Sequence, residues 1–165
     1  MQKILYFICP TDHLEQVINS ASQEENYFIT SLGNSIAFER QTIEEISELL
    51  CQKNIRKISF VLSAENQVVL DLISKEGHSK INEFSKLCSQ IGVQKDLAQI
   101  IQRTGNLEFF ELSYYLNEKM NLLRSKLKNS SSHSIFVNGK IYNRENKTFS
   151  SVYSELICSN YVSAN

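Results

Sequence analysis

The stretch Lys57–Leu72 joins an apolar run typical of a strand to one typical of a helix. Ile58–Leu62 is rich in β-branched and aromatic residues, and a short polar turn, Ser63–Asn66, follows it. From Val68 onward the apolar residues recur at helical spacing. The pattern predicts strand, turn and helix. Because ligands of open parallel α/β sheets bind outside the carboxyl ends of the strands, we expect chemistry at this turn.

Two further strand and helix units precede this stretch. Lys3–Ile8 is a near-continuous apolar run, typical of a strand covered on both faces, and Pro10 ends it because proline cannot donate to a ladder. Asp12 has Glu15 three residues later, which is the spacing of a capping box, and predicts a first helix. Tyr27–Thr30 predicts a second short strand.

The middle of the chain is predicted to be mostly helical. Thr42 has Glu45 in capping-box register and predicts a second helix that leads to the central strand. The apolar positions of residues 75–104 suggest two short helices separated by glycines. From Leu107 to Leu127 the apolar positions keep a helical period, so we expect the longest helix there.

The last part of the chain is predicted to be extended. Ser134–Val137 predicts a strand, Asn138-Gly139 carries a hairpin-type signal, and Lys140–Tyr142 is extended again. Arg144–Lys147 predicts a polar turn, and Thr148–Tyr153 predicts a final antiparallel strand. These elements predict an α/β fold with a doubly wound, mostly parallel central sheet, flanked by helices and closed by an antiparallel C-terminal edge strand.

Composition narrows the class of protein. A chain of 165 residues with 42% hydrophobic content suits one domain, which we place at residues 1–165. The 17 basic and 18 acidic residues leave a net charge of −1, so charge gives no reason to expect nucleic acid or a membrane as partner. The first apolar run is too short for a signal peptide, and nothing approaches a membrane span, so we expect a cytoplasmic protein.

The cysteines give no metal-binding or redox motif. In the cytoplasm all four would be free thiols. No two of them form a Cys-x-x-Cys pair, which argues against zinc-ribbon and thioredoxin-like proteins. The four are Cys9, Cys51, Cys88 and Cys158.

Tyr27–Asn34 resembles the second strand and following Arg-Asn-Ala-Gly-Asn turn of the β-class carbonic anhydrases. The Gly-Asn pair is kept as Gly33 and Asn34, whereas Thr30 or Ser31 stands at the arginine position. This turn therefore keeps the backbone features of the family but not its charged side chain.

Two further segments strengthen the resemblance by their order and spacing. Ile58–Val69 is similar to the family's strand that runs into Gly-His-x-x-Cys-Gly-Ala. Ile135–Asn143 is similar to a late strand in which a glycine is followed three residues on by a tyrosine. The resemblance covers most of the chain and implies a β-carbonic-anhydrase-like fold.

The family's zinc ligands are not kept. The resemblance implies a zinc ion held by a cysteine after the first strand and by the histidine and cysteine of His-x-x-Cys after the third. Here Ser63 stands at the histidine position and Asn66 at the second cysteine position. Neither a hydroxyl nor a carboxamide replaces imidazole or thiolate for zinc. We therefore predict no catalytic zinc, no cofactor and no carbonic anhydrase activity.

The turn after the first strand also departs from the family, which has an Asp-x-Arg dyad there. If Cys9 matches the first zinc ligand, Thr11 stands at the aspartate position and His13 at the arginine position. If Asp12 is matched to the aspartate instead, neither the ligand nor the arginine is kept. The dyad is broken in both alignments.

A relocated metal site is an alternative that the residues leave open. Cys9, Asp12 and His13 lie in one turn, and His78 or His133 would supply a further ligand. The interpretation that we favour is structural: a small buried thiol, a helix cap and a solvated histidine.

Two functions compete. The first is a non-catalytic carbonic-anhydrase-like protein that acts as a binding or interaction module, with a vestigial pocket for a small polar or anionic ligand. The second is an enzyme of different, zinc-independent chemistry that uses Cys9 with His13, or Ser63, although Ser63 lacks the glycines of a nucleophile elbow. The structural alternative is that Ser63 caps a helix and Asn66 is solvated. The candidate pocket residues are Cys9, Thr11, Asp12, His13, Gly33, Asn34, Ser63 and Asn66.

Partners are predicted from the resemblance and from the long helix. The resemblance implies a homodimer. Members of the family usually clasp the partner subunit with an amino-terminal helical arm, but this chain enters its first strand at once. The apolar and aromatic excess of Phe109–Tyr115 would therefore supply the contact instead. The basic residues of 119–128 are those that a helix dipole favours in a last turn, so we predict no nucleic acid partner.

Overall fold

The computed structural model describes residues 2–74, 107–128 and 134–152. The described strands form one five-stranded sheet in the order β2-β1-β3-β4-β5. The first four strands run parallel, and β5 pairs antiparallel with β4. The strands are β1 (Lys3–Ile8), β2 (Glu25–Thr30), β3 (Lys57–Ser63), β4 (Phe136–Asn143) and β5 (Thr148–Ser151). The mixed α/β class and the antiparallel edge predicted from the sequence are confirmed.

Helices lie on both faces of the sheet. We label them α1 (Glu15–Ala21), α2 (Arg40–Gln52), α3 (helical residues 67–74) and α4 (Leu107–Leu127). A short 3₁₀ turn follows each of the first two strands: the first turn is Pro10–Asp12 and the second turn is Leu32–Asn34. These two turns and the turn after β3 lie at the carboxyl edge of the sheet. This is the edge at which the sequence analysis predicts the functional site.

The larger apolar core lies between the sheet and helices α2, α3 and α4. Phe7 of β1 and Phe60 of β3 stack at its centre with ring centroids 4.7 Å apart, and Phe38 meets both rings edge-on. A smaller cluster on the other face contains Ile18 of α1 and Leu14, the residue before that helix, packed against residues of β1, β3 and β4. Both faces of β1 and β3 are therefore buried, as their continuous apolar runs predicted.

The hairpin predicted at Asn138-Gly139 is wrong, because both residues lie inside the single strand β4. A Cβ atom at Gly139 would stand 2.9 Å from Val152 Cγ2 and 3.1 Å from Met120 Sδ. The glycine is thus placed where α4 and the chain after β5 approach the sheet closely, and the hairpin turns after Asn143 instead.

Both predicted capping boxes are also wrong. The N-cap of α1 is Leu14, so Asp12 lies outside the helix. The N-cap of α2 is Glu39, so Thr42 lies inside the first turn. The Asp12 carboxylate has longer-range partners instead of capping α1.

Several predictions lie outside the described residues. They are the two short helices of residues 75–104, the end of the strand Thr148–Tyr153, and the side chains of His78, Cys88, His133 and Cys158. Within the described ranges, no helix combines the length and the apolar character that crossing a membrane would need.

Candidate functional site

The carboxylate of Asp12 joins the turns after β1 and β3. Its Oδ2 accepts a hydrogen bond of 2.7 Å from the backbone N–H of Ser63, and its Oδ1 accepts one of 2.8 Å from Nδ2 of Asn66. The partners lie 51 and 54 residues away along the chain. We call this arrangement of Asp12, Ser63 and Asn66 the carboxylate bridge.

Asn66 also begins helix α3. Its Oδ1 accepts the backbone N–H of Val69 at 2.9 Å, which is the bond of an N-cap residue. A backbone N–H can only donate, so the oxygen of the Asn66 side chain must face Val69 and the NH₂ group must face Asp12. The orientation of this amide is therefore fixed from both sides. The expectation that Asn66 is a solvated first-turn residue is wrong, and Asn66, not Ser63, caps the helix.

The bridge is closed to solvent. Asp12, Ser63 and Asn66 are 3%, 1% and 2% exposed. Burial raises the pKa of Asp12 above its usual range, while the two hydrogen bonds and the positive charges of Arg144 and His13 act against that rise. The hydroxyl of Ser63 accepts the backbone N–H of Glu65 at 3.3 Å. These three residues are bonded to one another instead of lining an open cleft.

A second group of contacts surrounds the thiol of Cys9. Its Sγ accepts the backbone N–H of Gly33 at 3.0 Å and lies 3.0 Å from Oγ1 of Thr11. Cys9 is fully buried, whereas Thr11 is exposed. The thiol thus fastens the second turn to the end of β1.

The second turn depends on Gly33 and Asn34. Gly33 has a φ of +59°, and a Cβ atom there would stand 3.2 Å from Val69 Cγ2 of α3. Its carbonyl accepts the hydroxyl of Tyr115 from α4 at 2.6 Å. Asn34 is buried and donates from Nδ2 to the carbonyl of Val61 at 3.1 Å. The glycine and asparagine that carried the sequence resemblance therefore hold this turn against β3, α3 and α4.

Arg144, which sequence reasoning missed, closes the outside of the bridge. Its Nη2 donates to the backbone carbonyl of Asp12, and its Nε lies 3.4 Å from a carboxylate oxygen of Glu65. Arg144 follows directly after β4, and β4 runs parallel to β3. Since parallel strands end at the same edge, the position after β4 is the signal by which the sequence points to Arg144.

His13 lies at the surface beside the bridge. It is exposed, has a φ of 51°, and its backbone N–H bonds to the carbonyl of Pro10 at 3.4 Å. The first turn therefore directs Asp12 inward and leaves His13 outside, so the two residues have different environments although they are adjacent.

The donor set at this edge does not fit a zinc ion. Zinc needs lone pairs of thiolate, imidazole or carboxylate ligands that converge on one point. Here N–H groups of Ser63 and Asn66 converge on the Asp12 carboxylate, so hydrogen atoms point to the place that a cation would need. Across the ranges that the structure describes, no three His, Cys, Asp or Glu side chains are grouped as metal ligands.

Comparison of the fold finds solved β-carbonic anhydrases. A mutant form of the β-carbonic anhydrase CafD of Aspergillus fumigatus matches with a TM-score of 0.55 at 15% identity over 93% of this chain and 90% of that chain. CafA of the same fungus gives 0.57 at 12% identity, covering 93% of this chain and 76% of that chain. The β-carbonic anhydrase CcaA gives 0.52 at 14% identity, covering 92% and 80%.

No family model and no curated protein matches the sequence. At identities this low, the likeness to the solved structures establishes the fold. The chain has the β-carbonic anhydrase fold, and the resemblance predicted from its three sequence segments is confirmed at that level.

Proposed function

We propose that this chain, which has the β-carbonic anhydrase fold, is a non-catalytic protein that acts by binding instead of by zinc-dependent hydration of carbon dioxide. The observation that carries the proposal is the carboxylate bridge. Asp12 accepts two hydrogen bonds from the turn where the resemblance places two zinc ligands. The bridge joins the two turns through a carboxylate, and its polar groups already have partners inside the protein.

Burial argues against the alternative of a zinc-independent enzyme at the same edge. Nucleophilic catalysis needs an accessible nucleophile with a base in hydrogen-bond reach. Ser63 is 1% exposed and its hydroxyl faces the N–H of Glu65, and Cys9 is fully buried beneath the second turn. Neither side chain is presented to a substrate in this conformation.

Metal analysis and a hydration assay test the proposal directly. Purified protein dialysed against zinc is expected to hold far less than one equivalent of tightly bound zinc and to leave the rate of carbon dioxide hydration at that of buffer. Stoichiometric zinc, or hydration that disappears with a chelator, would refute it. A variant with Ser63→His and Asn66→Cys is the matched comparison, since it restores the two missing ligand types.

We also propose that the binding partner at this edge includes a second copy of the chain. The aromatic segment predicted to make the contact is largely used inside the protein: Phe110 and Leu112 are buried and Tyr115 bonds to Gly33. Two exposed leucines beside the site take its place in the proposal. Leu32 of the second turn is 53% exposed and Leu72 of α3 is 38% exposed, and Leu72 lies next to Gly33.

Light scattering at increasing protein concentration tests the dimer. The unchanged chain is expected to dimerise and Leu32→Glu to shift it to monomer, because a charge would be buried in an apolar contact. Leu122→Glu is the matched control, since Leu122 is 44% exposed on α4, away from this edge. An unchanged chain that stays monomeric, or a dimer that tolerates Leu32→Glu, contradicts the proposed contact.

A further inference from the structure

Asn138 and Gly139 form the only Asn-Gly pair in the sequence, and both lie inside β4. The side-chain carbonyl of an asparagine can be attacked by the backbone nitrogen of the residue that follows it. This nitrogen is least hindered when the following residue is glycine, because glycine has no Cβ. Asn138 is therefore the asparagine of this chain with the highest intrinsic tendency to lose its side-chain ammonia.

The packing around β4 requires a glycine after Asn138. A Cβ atom at Gly139 would stand 2.9 Å from Val152 Cγ2 and 3.1 Å from Met120 Sδ. These contacts exclude a larger residue that would shield the backbone nitrogen. The fold thus keeps Asn138 beside its most reactive kind of neighbour.

The carboxamide of Asn138 is not fixed through its oxygen. Oδ1 is buried, yet it accepts no hydrogen bond from any residue that the structure describes. Its neighbour in register on β3 is Ser59, which is 1% exposed and whose Oγ is also unpaired among the described residues. Protection of the side chain from attack must therefore come from the backbone.

The pairing of β4 supplies this protection. Ring closure needs the nitrogen of Gly139 to eclipse the Cβ of Asn138, whereas the extended ψ angle of a strand turns the nitrogen away from that Cβ. Gly139 is in register with Phe60 of β3, and its carbonyl accepts the backbone N–H of Val152 at 3.1 Å. The rotation that the reaction needs would disrupt these pairings, so the nitrogen reaches the side chain only when this part of β4 opens.

We propose that Asn138 is a site of spontaneous deamidation that the paired state of β4 holds back, so that the modification accumulates as this strand opens. The nitrogen of Gly139 loses its proton to hydroxide and attacks Cγ of Asn138. The bond from Cγ to Nδ2 then breaks, and Nδ2 takes up a proton from solvent and leaves as ammonia. Water opens the five-membered imide at either carbonyl and gives aspartate or isoaspartate. One water is consumed, one ammonia is released, and no group is oxidised or reduced.

The isoaspartate product does not fit the sheet. It routes the main chain through the former side chain and so adds one methylene between positions 138 and 139. Pairing along a strand depends on the regular spacing of its residues, and β4 is paired with β3 on one side and β5 on the other. Opening of β4 therefore becomes irreversible in every molecule that forms isoaspartate.

Peptide mapping by mass spectrometry tests the proposal on the full chain, incubated at mildly alkaline pH either folded in buffer or unfolded in guanidinium chloride. In the denaturant, Asn138 is expected to convert several-fold faster than Asn19 and Asn34, which precede serines. In buffer, Asn138 should convert at least about a hundredfold more slowly than in the denaturant, since only the opened strand reacts.

Two variants separate the chemistry from the protection. Gly139→Ala in the denaturant should slow the conversion several-fold, because the added Cβ hinders the nitrogen where no fold is involved. Val152→Ala weakens the packing beside Gly139 and should speed the conversion of the folded chain while leaving the rate in the denaturant unchanged. Equal rates in the folded and unfolded chain, no preference for Asn138 over Asn19 and Asn34, or a folded rate that ignores Val152→Ala overturns the proposal.

Refolding after removal of the denaturant tests the consequence for the sheet. The fraction with isoaspartate is expected to stay unfolded, whereas Asn138→Asp, which has the new charge but an ordinary backbone, is the matched control and should refold. An isoaspartate fraction that refolds as well as this control would refute the loss of register.

Discussion

Replacing Asn66 by aspartate probes the carboxylate bridge with the exchange of one heavy atom, the amide nitrogen for an oxygen. The aspartate keeps an oxygen for the N–H of Val69, so the cap of α3 is retained. Its other oxygen takes the place of Nδ2, the atom that in the unchanged chain donates to Asp12 Oδ1 at 2.8 Å. A donor that faces a carboxylate is thereby exchanged for a second carboxylate, while the size of the side chain stays the same.

The expected cost at neutral pH combines two losses. A hydrogen bond to a charged group contributes about 1.5–3 kcal/mol. Two carboxylate charges about 4 Å apart repel by roughly 4 kcal/mol at the effective dielectric constant of a protein. The pair is expected to relieve this repulsion by taking up a proton, which would restore an O–H···O bond between Asp12 and the new side chain.

The sign of the pH dependence follows from that proton. The folded variant has a carboxyl pKa raised above its unfolded value, so the folded state binds more protons between the two pKa values, and stability rises as the pH falls below the folded pKa towards the unfolded one. Each bound proton changes the free energy of unfolding by about 1.36 kcal/mol per pH unit. From about pH 7 to about pH 5 the variant should therefore recover up to roughly 2.7 kcal/mol relative to the unchanged chain.

Urea unfolding across this pH range is the assay, with Asn66→Ser as the matched control. Serine also caps helices but carries no charge, so its cost of about 1–3 kcal/mol comes from the lost hydrogen bond alone. Because that bond lowers the pKa of Asp12, Asn66→Ser should also recover some stability on acidification, but less than Asn66→Asp, which adds the repulsion of a second carboxylate. If Asn66→Asp is as stable as the unchanged chain at neutral pH, or if its deficit stays constant on acidification, the bridge does not bear on stability as described.

Three further changes test other contacts of the fold. Gly33→Ala should lower the free energy of unfolding by about 1–2 kcal/mol in a urea titration, because a φ of +59° strains an L side chain, and an unchanged midpoint would contradict this. Gly139→Ala should cost about 1–3 kcal/mol through its contact with Val152, and combining it with Val152→Ala should cost less than the sum of the two single changes; strict additivity would refute that contact. Arg144→Gln should raise the pKa of Asp12 further, since the positive charge now lowers it, and carboxyl-carbon NMR titration measures the change; an unchanged or lower pKa would show that the charge does not act on Asp12.

Strong local patterns were enough to predict much of the fold. The continuous apolar runs of β1 and β3 and the helical period of α4 require burial whatever surrounds them, and each forms the predicted element. Capping patterns were weaker guides. Asp12 and Thr42 have the spacing of capping residues, but neither caps its helix. For Asp12, the hydrogen bonds with Ser63 and Asn66 decide the role of the carboxylate.

Gly139 shows the same limit inside a strand. After asparagine it carries the local signal of a hairpin, yet the approach of Met120 and Val152 makes it the residue that fits within β4. Its neighbours come from α4 and from the chain after β5, so no window of sequence around residue 139 contains the reason.

The sequence by itself determined that the turn after β3 has serine and asparagine where the family that it resembles has zinc ligands. Only the tertiary structure decided what these residues do instead. Asn66 caps α3 and, with the backbone of Ser63, donates to a carboxylate more than fifty residues away. The physical reason is that a buried polar group must find its partner in space, and parallel strands bring distant turns to one edge of the sheet.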